Sequence, residues 1–271
     1  AQESRGLGDV YKRQAAAIRR GNKSQFASTQ EHRQRIVNLI KDYRTLLGQG
    51  VVARFDPETY SDAVAFARIG EGSLGGKARG LAFMNSMILK HRLYDKHANV
   101  RIMIPRSVVI ATDYFDDFIR LNGLKYIISQ EFSDEEILSE FVSSTVPARL
   151  QQELKAYIQT VRTPLAVRSS SKLEDSHYQP FAGIYNTYMI PYLDDKYEML
   201  RMLSDAIKGV YASVYFRDSK AYMQATSNVI DQEKMAVILQ EVVGNQYGDR
   251  YYPSMSGVAR SLNYYPIGDE R

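Results

Sequence analysis

Hydrophobic residues recur every three or four positions in several parts of the chain, a spacing typical of helices with one buried face. The longest of these patterns consists of Tyr197, Leu200, Leu203, Ile207, Val210 and Val214. Capping residues predict further helices at Thr112, Ser133 and Pro147. The chain is therefore expected to contain several amphipathic helices.

Short apolar runs between these segments predict strands. They cover residues 100–104, 107–111, 164–167, 184–190 and 235–243. One more helix is predicted to begin in the glycine-rich segment 70–80, with apolar positions at Leu81, Met84 and Ile88. This mixture of strands and helices predicts an α+β or mixed α/β fold.

The first 50 residues differ from the rest of the chain. Residues 1–14 lack apolar periodicity and resemble translated adaptor sequence, so we interpret them as a non-native or disordered tail. Residues 15–50 are predicted to form a helical segment, because Ser28 and Glu31 have capping-box spacing and Gly48 marks a helix end. The mixed pattern of strands and helices begins at Val51.

Composition excludes several classes of protein. The 271 residues are 44% hydrophobic and 24% charged, which is typical of a folded globular chain. The absence of cysteine excludes disulfides, thiolate zinc sites and cysteine nucleophiles, and it fits a cytoplasmic location. No apolar run approaches the ~20 residues of a membrane helix, so no membrane partner is expected. The net charge of +4 is spread along the chain, so no nucleic-acid partner is expected either.

The glycines of segment 70–80 are the first candidate for chemistry. Backbone N–H groups in such a segment can approach a phosphate closely, and the following helix adds its positive dipole end. The segment is not a P-loop, because Glu71 stands where its first glycine belongs and Ala78 follows Lys77. It also matches the dinucleotide-binding pattern G-x-G-x-x-G, which is weak by itself. Phosphate binding and a glycine-rich loop without a ligand are equal alternatives on this segment alone.

The second candidate is the strand that leads into Arg168, Ser169 and Ser170. Arginine offers a planar fork of donors to a phosphate, and serine hydroxyls can supplement it. Ser169 and Lys172 also match the S-x-x-K pattern of serine acyl-transferring enzymes, but the companion motifs K-T-G and S-D-N are absent from the sequence. A polar surface turn is the remaining interpretation.

Three motifs occur in order along the chain. They are Gly75-Gly76-Lys77 with Leu81, then Val167-Arg168-Ser169-Ser170 with Glu174-Asp175, Phe181-Ala182-Gly183 and Thr187, then Ser256-Gly257-Val258 with Asn263 and Pro266. Together they resemble the ATP-binding domain of the phosphoenolpyruvate synthase and pyruvate phosphate dikinase family. The resemblance spans residues 69–268, most of the chain.

The resemblance implies an ATP-grasp-like domain in which two lobes hold Mg-ATP. Residues 51–163 would form the first lobe and residues 164–271 the second, which would be incomplete at the C-terminus. The implied nucleotide-binding residues are Gly75, Gly76, Lys77, Arg168, Ser169, Ser170 and Gly257. Lys77 would contact the phosphates and the Gly257 loop would cover them, while Arg168 would have the catalytic role of binding and polarising the phosphoryl groups.

In this family a phosphoryl group passes from ATP to a histidine on a separate domain and then to pyruvate. The resemblance therefore implies a phosphotransferase fragment, with pyruvate bound only by missing domains. The metal ligands are left unassigned and are expected beyond Arg271, and the oligomeric state is open. The alternative is a non-catalytic nucleotide-binding or regulatory module of the same fold, which the departures from the family pattern at Ile184 and Asn186 favour.

Overall fold

A computed structural model describes the chain at residues 52–58, 60, 64–97, 99–128, 130–171, 185–225, 233–259 and 261. The α-helices in these ranges are α1 (Gly75–Lys90), α2 (Thr112–Leu121), α3 (Asp134–Ser143), α4 (Ala148–Thr160), α5 (Lys196–Ala212) and α6 (Arg217–Ala225). The strands are β1 (Ala53–Arg54), β2 (Phe66–Ile69), β3 (Ser107–Ile110), β4 (Leu165–Ser171), β5 (Thr187–Ile190), β6 (Met235–Glu241), β7 (Asn245–Tyr247) and β8 (Arg250–Tyr252). The fold is mixed α/β, as predicted.

Strands β1 to β6 form one sheet in the order β1-β2-β3-β6-β4-β5. The first three strands are parallel, whereas β6 runs antiparallel to both β3 and β4. Strand β6 therefore joins the strands of segment 51–163 to those of segment 164–271. Both segments contribute to the same sheet, and their division into two lobes stays a prediction.

One face of the sheet carries the large apolar core. Successive side chains of a strand point to opposite faces, so alternate residues of the central strands belong to this face. It buries Val108, Val167 and Leu239 from the sheet against Phe118, Tyr157 and Leu203 from the helices. Full burial of side chains of this size stabilises the fold by about 1.5–3 kcal/mol each.

The other face carries helix α1 and a much smaller apolar cluster. Ala78 of α1 packs there with Val109, Ala236 and Ile238. Beyond this contact most of α1 is only half-buried, and Phe83 is 66% exposed. Polar strand residues share this face, among them Arg168 of β4, which lies opposite Ile238 in the pairing register.

Local signals account for several helix boundaries. The predicted capping box is confirmed, because Ser133 accepts from the backbone of Glu136 and the Glu136 side chain accepts from the backbone of Ser133. These hydrogen bonds hold the pKa of Glu136 below its usual value. Helix α5 begins after Asp195, whose carboxylate accepts from the backbone N–H groups of Tyr197 and Glu198 in the first turn.

Several boundary predictions are wrong. Strand β4 continues to Ser171 beyond the predicted end at 167, and β5 begins at Thr187 and not at 184. Thr112 is the first residue of α2 and not its cap, because its hydroxyl instead accepts from the backbone of Ser73. Residues 101–106 form no strand, and β6 ends at Glu241 and not at 243. The predicted tail 1–14 and helical segment 15–50 lie outside the described residues.

The chain divides into two compact units, residues 1–241 and 242–271. Within the second unit β7 and β8 form a hairpin, and Gly248 takes the positive φ of 62° that its tight turn requires. Tyr247 and Tyr252 stack on this hairpin with their ring centroids 4.5 Å apart. None of the helices described has the length and apolar character needed to span a membrane.

Candidate functional site

In the glycine-rich loop before α1, the backbone N–H groups of residues 71–73 donate hydrogen bonds to side chains of the protein itself. The N–H groups of Glu71 and Gly72 each donate to the Asp113 carboxylate at 3.0 Å. The N–H of Ser73 donates to Thr112 Oγ1, also at 3.0 Å. A Cβ on Gly72 would lie 2.6 Å from the backbone nitrogen of Asp113, so the close approach requires glycine there. This part of the loop therefore binds the carboxylate of Asp113. Phosphate binding was one of the two alternatives that the sequence offered for this segment.

The first turn of α1 is clamped to β4 through Ser170. The buried Ser170 hydroxyl accepts from the backbone N–H of Ala78 at 3.0 Å and donates to the carbonyl of Leu74 at 2.8 Å. Gly75 has a φ of 70°, and a Cβ there would lie 1.8 Å from the Ser170 carbonyl oxygen. Gly75 and Ser170 therefore bring the start of α1 directly onto β4. In the structure Gly75 packs against the backbone of Ser170, and the Ser170 hydroxyl bonds to the backbone of α1 and of Leu74 just before it.

Lys77 reaches β4 from the same turn. Its Nζ donates to Ser169 Oγ at 3.1 Å, although 92 positions separate the two residues. Strand β5 pairs with β4 only as far as Arg168, so Ser169 lies just beyond the end of that pairing. The structure thus places a lysine ammonium next to the residue that follows Arg168.

Arg168 lies half-buried on the α1 face of the sheet and bonds to a neutral amide. Its Nη1 donates to Gln240 Oε1 at 2.9 Å. Gln240 Nε2 donates to Ser107 Oγ at 3.2 Å, and Ser107 Oγ donates to the carbonyl of Pro105 at 2.9 Å. This chain of hydrogen bonds crosses β4, β6 and β3. Gln240 was not among the residues predicted for the site, although its polar side chain in the otherwise apolar run of β6 was a signal for it.

Comparison with known proteins supplies the family. Residues 71–270 match the family described as pyruvate phosphate dikinase, AMP/ATP-binding domain. The chain belongs to this family. The matched range contains all seven residues that the resemblance had implied as nucleotide-binding, and the family is one of AMP/ATP-binding domains, which supports ATP as a substrate.

One curated relative carries a name from the same field of chemistry. It is the "Uncharacterized phosphotransferase YvkC" of Bacillus subtilis, 26% identical over 204 residues. The match covers 74% of this chain but only 21% of the relative. The chain therefore spans about a fifth of the length of that protein.

Within this ATP-binding domain the predicted residues fall into two sets. Lys77 bonds to Ser169, which follows Arg168 in β4, and Gly75, Gly76 and Ser170 are buried where α1 begins on the same strand. Gly257 lies exposed in the second unit, and its role as a cover for phosphates stays a prediction. The motif residues Glu174, Asp175 and 181–183 lie outside the described residues.

A second arginine lies on the opposite face, next to the start of β3. Arg106 Nε is 3.3 Å from Glu241 Oε1, and both side chains are largely buried. The Arg106 guanidinium also lies 4.6 Å from the ring centre of Tyr60. Burial holds the pKa of the neighbouring Tyr157 well above its ordinary value of 10.0. This cluster belongs to the apolar core face.

Metal ligands are not assigned by the geometry. Among the described residues no three side chains of histidine, cysteine, aspartate or glutamate come together in a way that could hold a metal ion.

Proposed function

We propose that this chain binds Mg-ATP with Lys77 and Arg168 at the phosphates. The observation that carries the proposal is that Lys77, which comes from a segment far away in sequence, bonds to the residue of β4 next to Arg168. Lys77 bonds to Ser169, and Arg168 precedes Ser169 in the strand. A lysine and an arginine that reach neighbouring residues of one strand suit a polyphosphate, because charge-assisted hydrogen bonds are the strong contacts to such ligands.

The proposed reaction is transfer of a phosphoryl group from ATP to a histidine of another domain, for phosphoenolpyruvate formation from pyruvate. The family and the name of the relative support phosphotransfer, and the finer assignment is our proposal. The role of this domain would be to hold and neutralise the phosphates, since phosphoryl transfer depends mainly on positioning and electrostatic stabilisation. The magnesium ion would share in that neutralisation.

Calorimetric titration of the chain with Mg-ATP tests the nucleotide site. Replacing Lys77 or Arg168 by alanine should weaken ATP binding about tenfold to a hundredfold, because a hydrogen bond to a charged group contributes ~1.5–3 kcal/mol. Lys90→Ala is the matched control, since it removes an exposed lysine from the other end of α1. Arg120→Ala is the matched arginine control, because that side chain is 80% exposed on α2.

The outcomes separate the proposed enzyme from its alternative. An affinity for ATP that is unchanged in Lys77→Ala would show that Lys77 does not contact the nucleotide. Saturable binding that depends on Lys77 and Arg168 supports the site and justifies an assay of a longer chain for pyruvate-dependent AMP formation. Binding of ATP without such turnover in the longer chain would favour the non-catalytic nucleotide-binding module.

A further inference from the structure

Arg168 is held on the sheet by a hydrogen-bond chain that runs through Gln240, Ser107 and the Pro105 carbonyl. We propose that Gln240 is a positioning residue that aims the Arg168 guanidinium at the phosphates of the nucleotide. This inference rests on the proposed function, in which Arg168 contacts ATP. The donors and acceptors along this series of hydrogen bonds explain why position 240 is a glutamine.

The donor and acceptor roles along this series of hydrogen bonds can be assigned in only one way. Arginine can only donate and a backbone carbonyl can only accept. The Ser107 hydroxyl has a single proton, which it donates to the Pro105 carbonyl, so it must accept from Gln240. The Gln240 amide therefore presents its NH2 to Ser107 and its oxygen to Arg168. Its orientation is defined at both ends.

Burial makes this orientation costly to change. Ser107 is fully buried and Gln240 is 9% exposed. Turning the amide over would set its NH2 against the arginine and its oxygen against a hydroxyl whose proton is already committed. A buried polar group left without a partner costs about tenfold or more in the folding equilibrium. The amide oxygen is thus a rigid acceptor for Arg168.

A neutral acceptor leaves the positive charge of Arg168 available to an anion. Arg168 makes no ion pair with an acidic residue in the described part of the chain. The next residue of β6, Glu241, points to the opposite face and pairs with Arg106. Adjacent positions of one strand therefore hold two arginines in different ways, one by a carboxylate and one by an amide. The amide fixes direction without neutralising charge, which is what a phosphate-binding arginine requires.

Two variants of Gln240 distinguish the orientation of the Arg168 guanidinium from the availability of its positive charge. Gln240→Met removes the acceptor and should let the guanidinium rotate, which lowers the ratio of ATP affinity to adenosine affinity about tenfold. Gln240→Glu keeps an acceptor but adds a negative charge, so the guanidinium should stay fixed while the same ratio still falls. Ser107→Ala should lower the ratio less, because the amide loses only its second partner.

The experiment measures two quantities on the full chain. Calorimetry gives the affinities for Mg-ATP and adenosine, and NMR of the arginine side-chain nitrogens gives the rate of guanidinium rotation of Arg168. In the double variant Arg168→Ala/Gln240→Met the ratio should be no lower than in Arg168→Ala, because the two residues act as one unit. Glu241→Gln is the control, since it changes the neighbouring buried pair and should leave the ratio unaltered.

Each outcome supports or overturns the inference. A wild-type ratio in Gln240→Met or Gln240→Glu, with a reduced ratio in Arg168→Ala, overturns the positioning role and leaves the nucleotide site intact. A wild-type ratio in Arg168→Ala overturns the proposed role of Arg168 and with it the role of Gln240. If Gln240 were only structural, its replacement would lower thermal stability without changing the affinity ratio or the rotation of Arg168. That result would also overturn the inference.

Discussion

Arg106 and Arg168 lie on opposite faces of one sheet and are bound by neighbouring residues of β6. Arg106 is 15% exposed and pairs with the carboxylate of Glu241, which is 12% exposed. Arg168 is half-buried and bonds to the neutral amide of Gln240. The first arginine is neutralised inside the core, and the second keeps its charge beside the start of α1.

The difference between the two faces separates stability from ligand binding. The core face buries large aromatic and aliphatic side chains from five of the six described helices or their neighbouring segments. The α1 face has a small apolar cluster, close backbone contacts and polar strand residues. Substitutions of core-face side chains should therefore reduce stability without changing nucleotide binding, whereas those of Arg168 and its hydrogen-bond partner Gln240 should reduce nucleotide binding. The backbone junction of α1 with β4 supports stability as well.

The largest expected effect is at the contact that builds the α1 face. Gly75→Ala should destabilise the chain by more than about 4 kcal/mol, because a Cβ there meets the backbone of Ser170 and the φ is positive. Denaturant unfolding measures this change. Gly80→Ala on the same helix is the control, since nothing lies within 4 Å of its Cβ, and it should stabilise by about 0.5–1 kcal/mol. Equal stabilities of the two variants would contradict the close approach of α1 to β4.

The next effect tests the buried arginine directly. Glu241→Ala should destabilise the chain by about 3–4 kcal/mol, because it leaves the Arg106 charge buried without its partner. Thermal or denaturant unfolding gives the loss. The ATP-to-adenosine ratio should not change in this variant, in contrast to the variants of Gln240. A lower ratio at unchanged stability would show that the Arg106 pair affects nucleotide binding and does not stabilise the fold, contrary to the roles assigned to the two arginines.

A smaller loss is expected at the glycine-rich loop. Asp113→Ala removes the carboxylate that accepts from Glu71 and Gly72, and it should cost about 2–3 kcal/mol. Asp117→Ala on the same helix removes an exposed ion pair with Arg120 and should cost no more than about 0.5 kcal/mol. Chemical unfolding of both variants provides the comparison. Similar values for the two would mean that the loop does not depend on Asp113.

The smallest effect at neutral pH concerns a core tyrosine. Burial raises the pKa of Tyr157, so the fold favours its neutral form, and this contribution is present below pH 10.0 and is lost as the pH rises above it. The Tyr157 hydroxyl has no hydrogen-bond partner among the described residues. Tyr157→Phe should therefore change stability by less than about 1 kcal/mol at neutral pH and reduce the loss of stability in alkali. Stability measured against pH shows this, with Tyr197→Phe as the 79% exposed control that should keep the wild-type profile.

Local signals predicted the elements that depend on neighbours in sequence. Apolar periodicity located α5, and the Ser133 capping box located the start of α3. The signal failed at Thr112, because that hydroxyl serves a partner 39 positions away. A capping residue and a residue with a distant partner have the same side chain, so the sequence cannot distinguish them.

Sequence alone determined the family of this protein and the residue types at its site, because motif order and spacing are properties of the chain. Tertiary structure decided what each of those residues contacts. It placed Gly75 and Ser170 at the junction of α1 and β4, bound Asp113 in the glycine-rich loop, and joined Gln240 to Arg168 and Ser107. These partners lie 41 to 133 positions apart, and only the pairing of β3, β6 and β4 brings the last three together. The physical reason is that a hydrogen bond depends on distance and direction in space, which strand register supplies and residue order does not.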